Sequence, residues 1–369
     1  MKGIKKLLAG LICAAVLLLN GCEFRDIDLR LFVVAIGVDS IEDNPGMTRF
    51  SFKISIPIGD PKSGEEKSMV VTQDSSTIAN AVRQLKSKVD KEVDFGHCKA
   101  ILYGEAYAKQ GIEKVEDWAI RRRDIQLLLY PGVARPSAEA VLNVVPPTER
   151  IAGNSLFLAL SSDGTESPFI VKTFSFDLSR RMQEKGKDPF IPVVEAEGDS
   201  MFIIDKAALL DKKKVIEILS PEETQLLNLL TRNDLRSNFP VMTSGSHYDL
   251  NIMTTKARYK IIAPAPGKEV VRYKVRVGGN IEEKDERGQM SKREQQQVEQ
   301  ALNKSLSEDL VKFLEKIRDT GLDPLGFGLR FYGTHWNNRT EEEQWKEIYP
   351  RIRFEVKVNT SIRSTGNNR

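Results

Sequence analysis

Residues 31–38 have the sequence Leu-Phe-Val-Val-Ala-Ile-Gly-Val, which is apolar throughout and rich in β-branched side chains. A short run of this kind, ended by Asp39 and a turn-rich segment, predicts a β-strand that is buried on both faces. Residues 49–58 then alternate between apolar and polar side chains. This period of two predicts a second strand with one buried face, and the turn-rich connection predicts a hairpin between the two strands.

Helical and strand patterns continue through the first half of the chain. After the candidate capping residues 74–77, apolar residues recur at helical spacing and predict a helix to about Val89. Further strands are predicted at residues 68–73, 100–103 and 125–133, and further helices at 107–122, 137–144, 151–160 and 172–188. Two prolines within residues 186–199 indicate a connector between structural units.

The second half of the chain mixes strands and helices in the same way. Ser220-Pro221-Glu222-Glu223 has the composition of a helix start, with a capping serine, proline at the first helical position and acids in the first turn. Strands are predicted at residues 200–210, 215–219, 251–262, 269–281 and 351–362, and helices at 220–230, 291–318 and 340–348. The class is α+β, multi-domain, with mixed antiparallel sheets, packed helices and a boundary near residues 190–220.

The first 21 residues have the pattern of a secretory signal peptide. Three lysines precede the apolar residues 7–19, and that run is shorter than the roughly 20 residues that cross a bilayer. Leu19-Asn20-Gly21-Cys22 follows and resembles a bacterial lipobox. The sequence therefore predicts cleavage after Gly21 and a diacylglyceryl thioether on Cys22, whose two chains would give stable membrane attachment. An ordinary signal peptide with a chance cysteine is the alternative interpretation.

Processing at this point changes the composition of the chain. The formal net charge of +3 arises from 55 basic and 52 acidic residues, and the three lysines of the leader account for all of it. The remaining chain is near neutral, so its net charge gives no reason to expect binding to nucleic acid. Cys13 leaves with the leader and Cys22 is lipidated, which leaves Cys98 and excludes an intramolecular disulfide or a cysteine metal cluster.

The sequence contains no pattern that supports catalysis. His97, His247 and His335 lie far apart, and no Walker A, Gly-x-Ser-x-Gly or dinucleotide-binding motif occurs. Cys98 follows His97, but neighbouring residues on a strand point to opposite faces, and a buried cysteine is usually a packing residue. The glycines at 326 and 328 predict a turn. We therefore expect neither an enzyme nor a cofactor.

The densest basic run is Arg121-Arg122-Arg123, at the end of a predicted helix. Basic residues at this place can be a solvated helix end that the helix dipole favours. They can also contact anionic lipid or an acidic partner surface. Both interpretations remain open from the sequence.

Several motifs, taken in order, resemble the spore germination C-subunit lipoproteins, the Ger(x)C family. The motifs are Cys22-Glu23-Phe24-Arg25-Asp26-Ile27 with Val34–Asp39, Phe95–Lys99, Gly104-Glu105, Ala108–Ile112, Asp323–Gly328, Trp345 and Tyr349-Pro350. The family usually has a tryptophan after the cysteine, and Glu23 and Phe24 stand there instead. The resemblance covers nearly the whole chain after the leader.

The resemblance implies a peripheral, non-catalytic subunit of a nutrient germinant receptor on the outer face of the spore inner membrane. It also implies integral-membrane A and B subunits as partners, and three mixed α/β domains. The expected division is a signal peptide at 1–21, an N-terminal part at 22–195 and a C-terminal part at 196–369. Two partner surfaces are expected as alternatives: the C-terminal helix and strands, or the surface formed by Gly104, Glu105, Lys109, Gly111, Arg121, Arg122 and Arg123.

Two other functions compete with this hypothesis. A substrate-binding lipoprotein of a membrane importer would share the lipid anchor, but it usually has two similar α/β lobes, which the long alternating strands disfavour. A lipid-anchored hydrolase is disfavoured because no catalytic constellation is present.

Overall fold

A computed structural model describes residues 3–4, 29–56, 67–148, 154–161, 166–262, 267–285, 290–335 and 340–364. Apart from residues 3–4, the leader lies outside these residues, and so do Gly21 and Cys22. The strands are β1 Arg30–Ser40, β2 Thr48–Ile56, β3 Lys67–Ser75, β4 Glu92–Asp94, β5 Ala100–Gly104, β6 Tyr130–Arg135, β7 Phe190–Glu197, β8 Met201–Leu210, β9 Val215–Ile218, β10 Ser237–Thr243, β11 Ser246–Ile262, β12 Val270–Lys284 and β13 Arg353–Ser364. The helices are α1 Ile78–Leu85, α2 Glu105–Ala108, α3 Glu113–Arg121, α4 Ala138–Asn143, α5 Asn154–Ser161, α6 Ser175–Gln183, α7 Pro221–Thr231, α8 Lys292–Asp319, α9 Phe327–Thr334 and α10 Glu341–Ile348.

The first sheet is built around β1. Its strand order is β3-β2-β1-β5-β6-β7-β8-β9, with β4 also paired to β1. The central strands β1, β5, β6 and β7 are parallel, and antiparallel strands flank them. Val33, Ile36 and Val38 of β1 are fully buried, which confirms the strand that the apolar run predicts. The predicted hairpin of β1 and β2 is also confirmed.

The prediction of one exposed face on β2 is wrong. Ser51, Lys53 and Ser55 are buried as well as the apolar residues that alternate with them. The chain that follows α4 covers this second face. There the ammonium of Lys53 donates a hydrogen bond to the carbonyl of Val144 (3.0 Å). Burial lowers the pKa of Lys53 to about 8.

Several other elements also differ from the sequence pattern. The predicted connector at 186–199 contains β7, which pairs with β6 and β8. The predicted helix at 107–122 is divided into α2 and α3, and Gly111 adopts a φ of +149° between them. The predicted strand at 125–133 begins only at Tyr130, and the turn predicted around Gly328 is the first turn of α9.

The second sheet has the order β10-β11-β12-β13. The predicted strands β11 and β12 form its long antiparallel pair, and β13 adds to β12 in parallel. One face packs on α8 through the helix stripe and the alternate residues of β12. These residues are Val298, Leu302, Leu306, Leu310 and Leu314 of α8 with Val271, Tyr273, Val275 and Val277 of β12. Both α7 and α8 begin with a capping box. Ser220 and Glu223 form it in α7, and Ser291 and Glu294 form it in α8.

The α+β, multi-domain class is confirmed, with helices packed on two mixed sheets. The first sheet continues through β9, beyond residue 195, so the division of the chain at 195/196 stays a prediction. Within the described ranges, no helix combines the length and apolar character that a bilayer crossing needs.

Candidate functional site: the charged edge of the first sheet

The parallel strands of the first sheet end at a common edge, which carries charged side chains. Asp39 lies near the end of β1, Gly104 at the end of β5 and Arg135 at the end of β6. In open sheets with parallel strands, the carboxyl ends of the strands are where binding sites usually form. This edge also contains part of the partner surface that the sequence predicts, so it is the first candidate site.

Asp39 fixes α4 to the end of β1. Its Oδ1 accepts the backbone N–H of Ala138 (2.7 Å), and its Oδ2 accepts that of Glu139 (2.9 Å). Ser137 accepts the next free amide, that of Ala140 (3.1 Å), so the first three N–H groups of α4 have partners. Burial raises the pKa of Asp39, although the two N–H donors favour the ionised form.

Gly104 is required by this arrangement. A Cβ at position 104 would lie 2.1 Å from Asp39 Oδ1, far inside van der Waals contact. Gly104 is also buried. The Gly-Glu motif therefore begins with a residue whose role is to let the backbone of β5 approach the Asp39 carboxylate.

An alternating chain of charges crosses the same edge. The guanidinium of Arg135 lies 2.5 Å from Glu105 and 3.1 Å from Glu195. Lys109 extends the chain at Glu105 (2.7 Å) and Lys206 extends it at Glu195 (3.1 Å). The hydrogen bond from Arg135 is the main cause that lowers the pKa of Glu105. The same hydrogen bond raises the pKa of Arg135. These ion pairs connect α2 to β6, β7 and β8.

This geometry offers an ordered charged surface and no nucleophile. Both carboxylates in this row of charges, those of Glu105 and Glu195, are already paired with a cation. Arg135 lies between the two acids. Across the described segments, no group of three or more His, Cys, Asp or Glu side chains is placed to hold a metal ion. Lys109 is the most exposed member, with 57% of its side chain accessible. The arrangement suits recognition of another protein better than bond breaking.

The remaining predicted partner residues lie outside this chain of charges. Gly111 is in the turn between α2 and α3, and the next N–H, of Ile112, donates to the carbonyl of Lys213. Arg121 pairs with Asp117 (2.9 Å) on the exposed side of α3. Arg122 pairs with Asp124 and lies over the rings of Phe95 and Trp118. Arg123 is exposed.

The placement of Arg122 gives the basic run a structural component that the sequence did not show. The Arg122 guanidinium centre is 4.5 Å from the Phe95 ring centroid, so this arginine helps to pack the end of α3. Arg121 and Arg123 remain the accessible members of the run.

Cys98 and His97 do not form a catalytic pair. Cys98 is 2% exposed, and burial raises the pKa of its thiol to about 12. The His97 ring instead packs on Phe32 at a centroid distance of 4.6 Å. A thiol with so high a pKa is a poor nucleophile at neutral pH, so Cys98 is a core residue.

The sequence places Asp323 at the start of a family motif but does not predict its role as a buried helix cap. The Asp323 carboxylate accepts three backbone N–H groups at the start of α9, from Gly326 (2.8 Å), Phe327 (3.0 Å) and Gly328 (2.7 Å). Burial raises the pKa of Asp323 to about 7 against these three donors. An acid three residues before a glycine and an apolar helix start is the signal that could have identified this cap.

Comparison with known families accounts for both halves of the chain. Residues 23–196 match the spore germination protein N-terminal domain, and residues 205–366 match the spore germination B3/GerAC-like C-terminal domain. The chain belongs to the Ger(x)C family of spore germination proteins. The resemblance seen in the sequence motifs is thereby confirmed.

Curated relatives of this Ger(x)C protein span nearly its full length. The putative spore germination protein YfkR of Bacillus subtilis is 24% identical over 96% of this chain and 95% of its own. Spore germination protein KC of the same species is 24% identical over 98% of this chain and 96% of its own. GerQC of Bacillus cereus is 20% identical over 87% of this chain and 88% of its own.

A solved structure shows that the fold is shared as well. The crystal structure of the GerBC protein matches with a TM-score of 0.58 and 18% identity, covering 89% of this chain and 96% of that one. The Ger(x)C family therefore includes this chain by sequence, and the GerBC match supports the fold.

Proposed function

We propose that this Ger(x)C protein is the lipid-anchored C subunit of a nutrient germinant receptor. The observation that carries the proposal is the match of both halves of the chain, residues 23–196 and 205–366, to spore germination domains. In this proposal the protein lies on the outer face of the spore inner membrane and binds the integral-membrane A and B subunits. Its role is binding and scaffolding.

The sequence of the leader supports the anchor. Cys22 follows an apolar segment and Gly21, and it is the residue just before the start of the first matched domain. Because the chain after the leader is near neutral, net charge would not hold it at a membrane, whereas two acyl chains would. Lipidation of Cys22 therefore gives the proposal its means of membrane attachment.

The charged edge supports a binding role. Lys109 and Glu105 project from α2 at the end of the alternating chain of charges, and Arg121 and Arg123 are accessible at the end of α3. Charged, ordered residues at the rim of an interface set the orientation and the choice of partner more than the affinity. We propose that these residues face the A or B subunit.

The anchor is tested by changing Cys22→Ala in the spore-forming host. We expect the unprocessed precursor to accumulate and the nutrient response to fall, because neither lipidation nor the following cleavage can proceed. Cys13→Ala, within the leader, is the matched control and should mature normally. Normal processing and an unimpaired nutrient response in the Cys22→Ala strain would exclude the anchored receptor subunit.

The receptor role is tested by deletion of the gene in a strain without paralogues. Spores should fail to germinate with the cognate nutrient and still respond to added dipicolinate, which acts after the receptor. Germination with every nutrient would rule out the role. If the deletion instead abolished uptake of a nutrient and left germination unchanged, the importer lipoprotein would replace it. Neighbouring genes for an A-type subunit and a transporter-like B subunit are also expected.

A further inference from the structure

Among the residues that the structure describes, no helix packs over one face of the second sheet, and this face is strongly basic. Residues 271, 273, 275 and 277 of β12 pack on α8, so the residues between them point the other way. Seven basic side chains on β11, β12 and β13 form this surface, and all are exposed. We call them the basic face: Lys256, Arg258, Lys260, Arg272, Lys274, Arg276 and Lys357.

The register of β11 and β12 places like charges directly opposite one another. Lys256 pairs with Arg276, Arg258 with Lys274, and Lys260 with Arg272. Lys357 of β13 then lies beside Lys274. Like charges at directly opposed positions, with Cβ atoms about 5 Å apart, destabilise a sheet. Three such pairs in succession destabilise the folded sheet, and an anion bound on this face would relieve the repulsion.

The protein itself supplies little negative charge to this surface. Glu355 of β13 forms an ion pair with Arg272 at 2.7 Å. In the part of the chain that the structure describes, no carboxylate lies within ion-pair distance of the other six side chains. The basic face is therefore complementary to an extended anionic surface outside the chain.

The composition of the basic face favours a lipid surface over a protein or a single-stranded nucleic acid. Protein interfaces have cores enriched in aromatic residues and depleted of charged ones. Single-stranded nucleic acids are bound on aromatic stacking platforms. The basic face has charged residues at its centre, and Tyr259, an aromatic residue that borders it, has its ring packed on Phe327. Phospholipid headgroups require only cations close to the membrane plane.

We infer that the basic face docks on anionic phospholipid headgroups and gives the protein a second contact with the membrane. The choice of a membrane as the occupant rests on the proposed anchoring through Cys22, which would hold the chain within reach of such a surface. Docking would fix the orientation of the second sheet, whereas a lipid anchor alone would leave the protein free to rotate.

The test uses the chain from residue 23 onward, without lipid, so that only the protein surface can bind. This chain contains both matched domains and every strand from β1 to β13. Its partition is measured by co-sedimentation with vesicles of phosphatidylglycerol mixed with phosphatidylcholine, and with vesicles of phosphatidylcholine alone. Binding should require phosphatidylglycerol and disappear at about 1 M salt, where the Debye length is about 3 Å.

The variant Lys256→Gln, Lys260→Gln, Lys274→Gln removes one member of each opposed pair. At about fivefold for each basic residue near an anionic surface, the three changes should weaken partition roughly 100-fold. The matched control is Lys292→Gln, Lys304→Gln, Lys312→Gln on α8, with the same charge change on the opposite side of the sheet. The control should bind as the unchanged chain does.

A misfolded variant is recognised by its melting temperature. Since the sheet variant relieves like-charge repulsion, it should melt no lower than the unchanged chain. Equal binding by the two triple variants, or no preference for phosphatidylglycerol, would overturn the inference. So would binding of poly-glutamate that the sheet variant loses while vesicle binding persists. These outcomes are independent of the processing of Cys22, so failure here leaves the proposed anchor standing.

Discussion

Substitution of Gly104 by alanine should disconnect β1 from α4. The new Cβ would lie 2.1 Å from Asp39 Oδ1 and 3.2 Å from Asp39 Cγ, so the carboxylate must move by about 1 Å to restore van der Waals contact. Its hydrogen bonds to Ala138 and Glu139, at 2.7 and 2.9 Å, cannot survive that movement. The φ of Gly104 is −51°, so the backbone itself accepts alanine and the clash is the whole effect.

The magnitude follows from the groups left without partners. Loss of a helix N-cap costs about 1 kcal/mol, and a buried donor left unsatisfied costs about 1–3 kcal/mol. Ser137 still accepts the amide of Ala140, so part of the cap is kept. We therefore expect Gly104→Ala to lower the free energy of unfolding by about 2–4 kcal/mol.

Urea denaturation checks this expectation, and a double-mutant cycle checks the mechanism. If alanine acts by displacing Asp39, it should cost less than about 1 kcal/mol when Asp39→Ala is already present. Gly333→Ala, in the last turn of α9, is the control. Among the described residues, no atom outside its chain neighbours and the backbone of its own helix lies within 4 Å of the added Cβ, and alanine is a better helix former than glycine. Fully additive costs for Gly104→Ala and Asp39→Ala would refute the reasoning, as would a cost equal to that of Gly333→Ala.

Two buried ionisable groups should give stability profiles of opposite slope with pH. Burial raises the pKa of Asp323 from 3.8 to about 7, so between these pH values the native state holds a proton that the unfolded state has lost. The free energy of unfolding should therefore fall by up to about 4 kcal/mol as pH rises from about 4 to 7. Asp323→Asn should remove that slope in urea denaturation. Burial lowers the pKa of Lys53 from 10.5 to about 8, so stability should rise between about pH 8 and 10 as the native amine alone deprotonates. Lys53→Met should be neutral to stabilising at pH 7 and should flatten that rise, and an unchanged rise in this variant would assign it to another group.

The local pattern of the sequence determined the elements whose signal is complete within a few residues. The apolar run at 31–38 became the buried β1, the Ser220 and Ser291 starts became capping boxes, and the alternating segments became β11 and β12. These features need only neighbours along the chain, since periodicity and capping act within one or two turns. The motifs in order were also enough to give the family.

The candidate site was only partly accessible from the sequence. The Gly-Glu motif points to residues 104 and 105, but the sequence shows Asp39 only as the last residue of a family motif after the apolar run. It does not distinguish Arg135, Glu195 and Lys206 from other charged residues. Their association depends on the order β1-β5-β6-β7-β8, which brings together residues separated by up to 100 positions. No local period encodes such a pairing.

Tertiary structure alone decided that the polar face of β2 is buried and which charges meet. The polar face of β2 is buried because the chain after α4 covers it, and β7 forms because β6 and β8 supply its hydrogen bonds. The alternation of basic residues on β11 and β12 is visible in the sequence, but the sheet register decides that cation faces cation. Periodicity along one strand fixes a face, whereas its neighbours and exposure depend on strands brought together from distant parts of the chain.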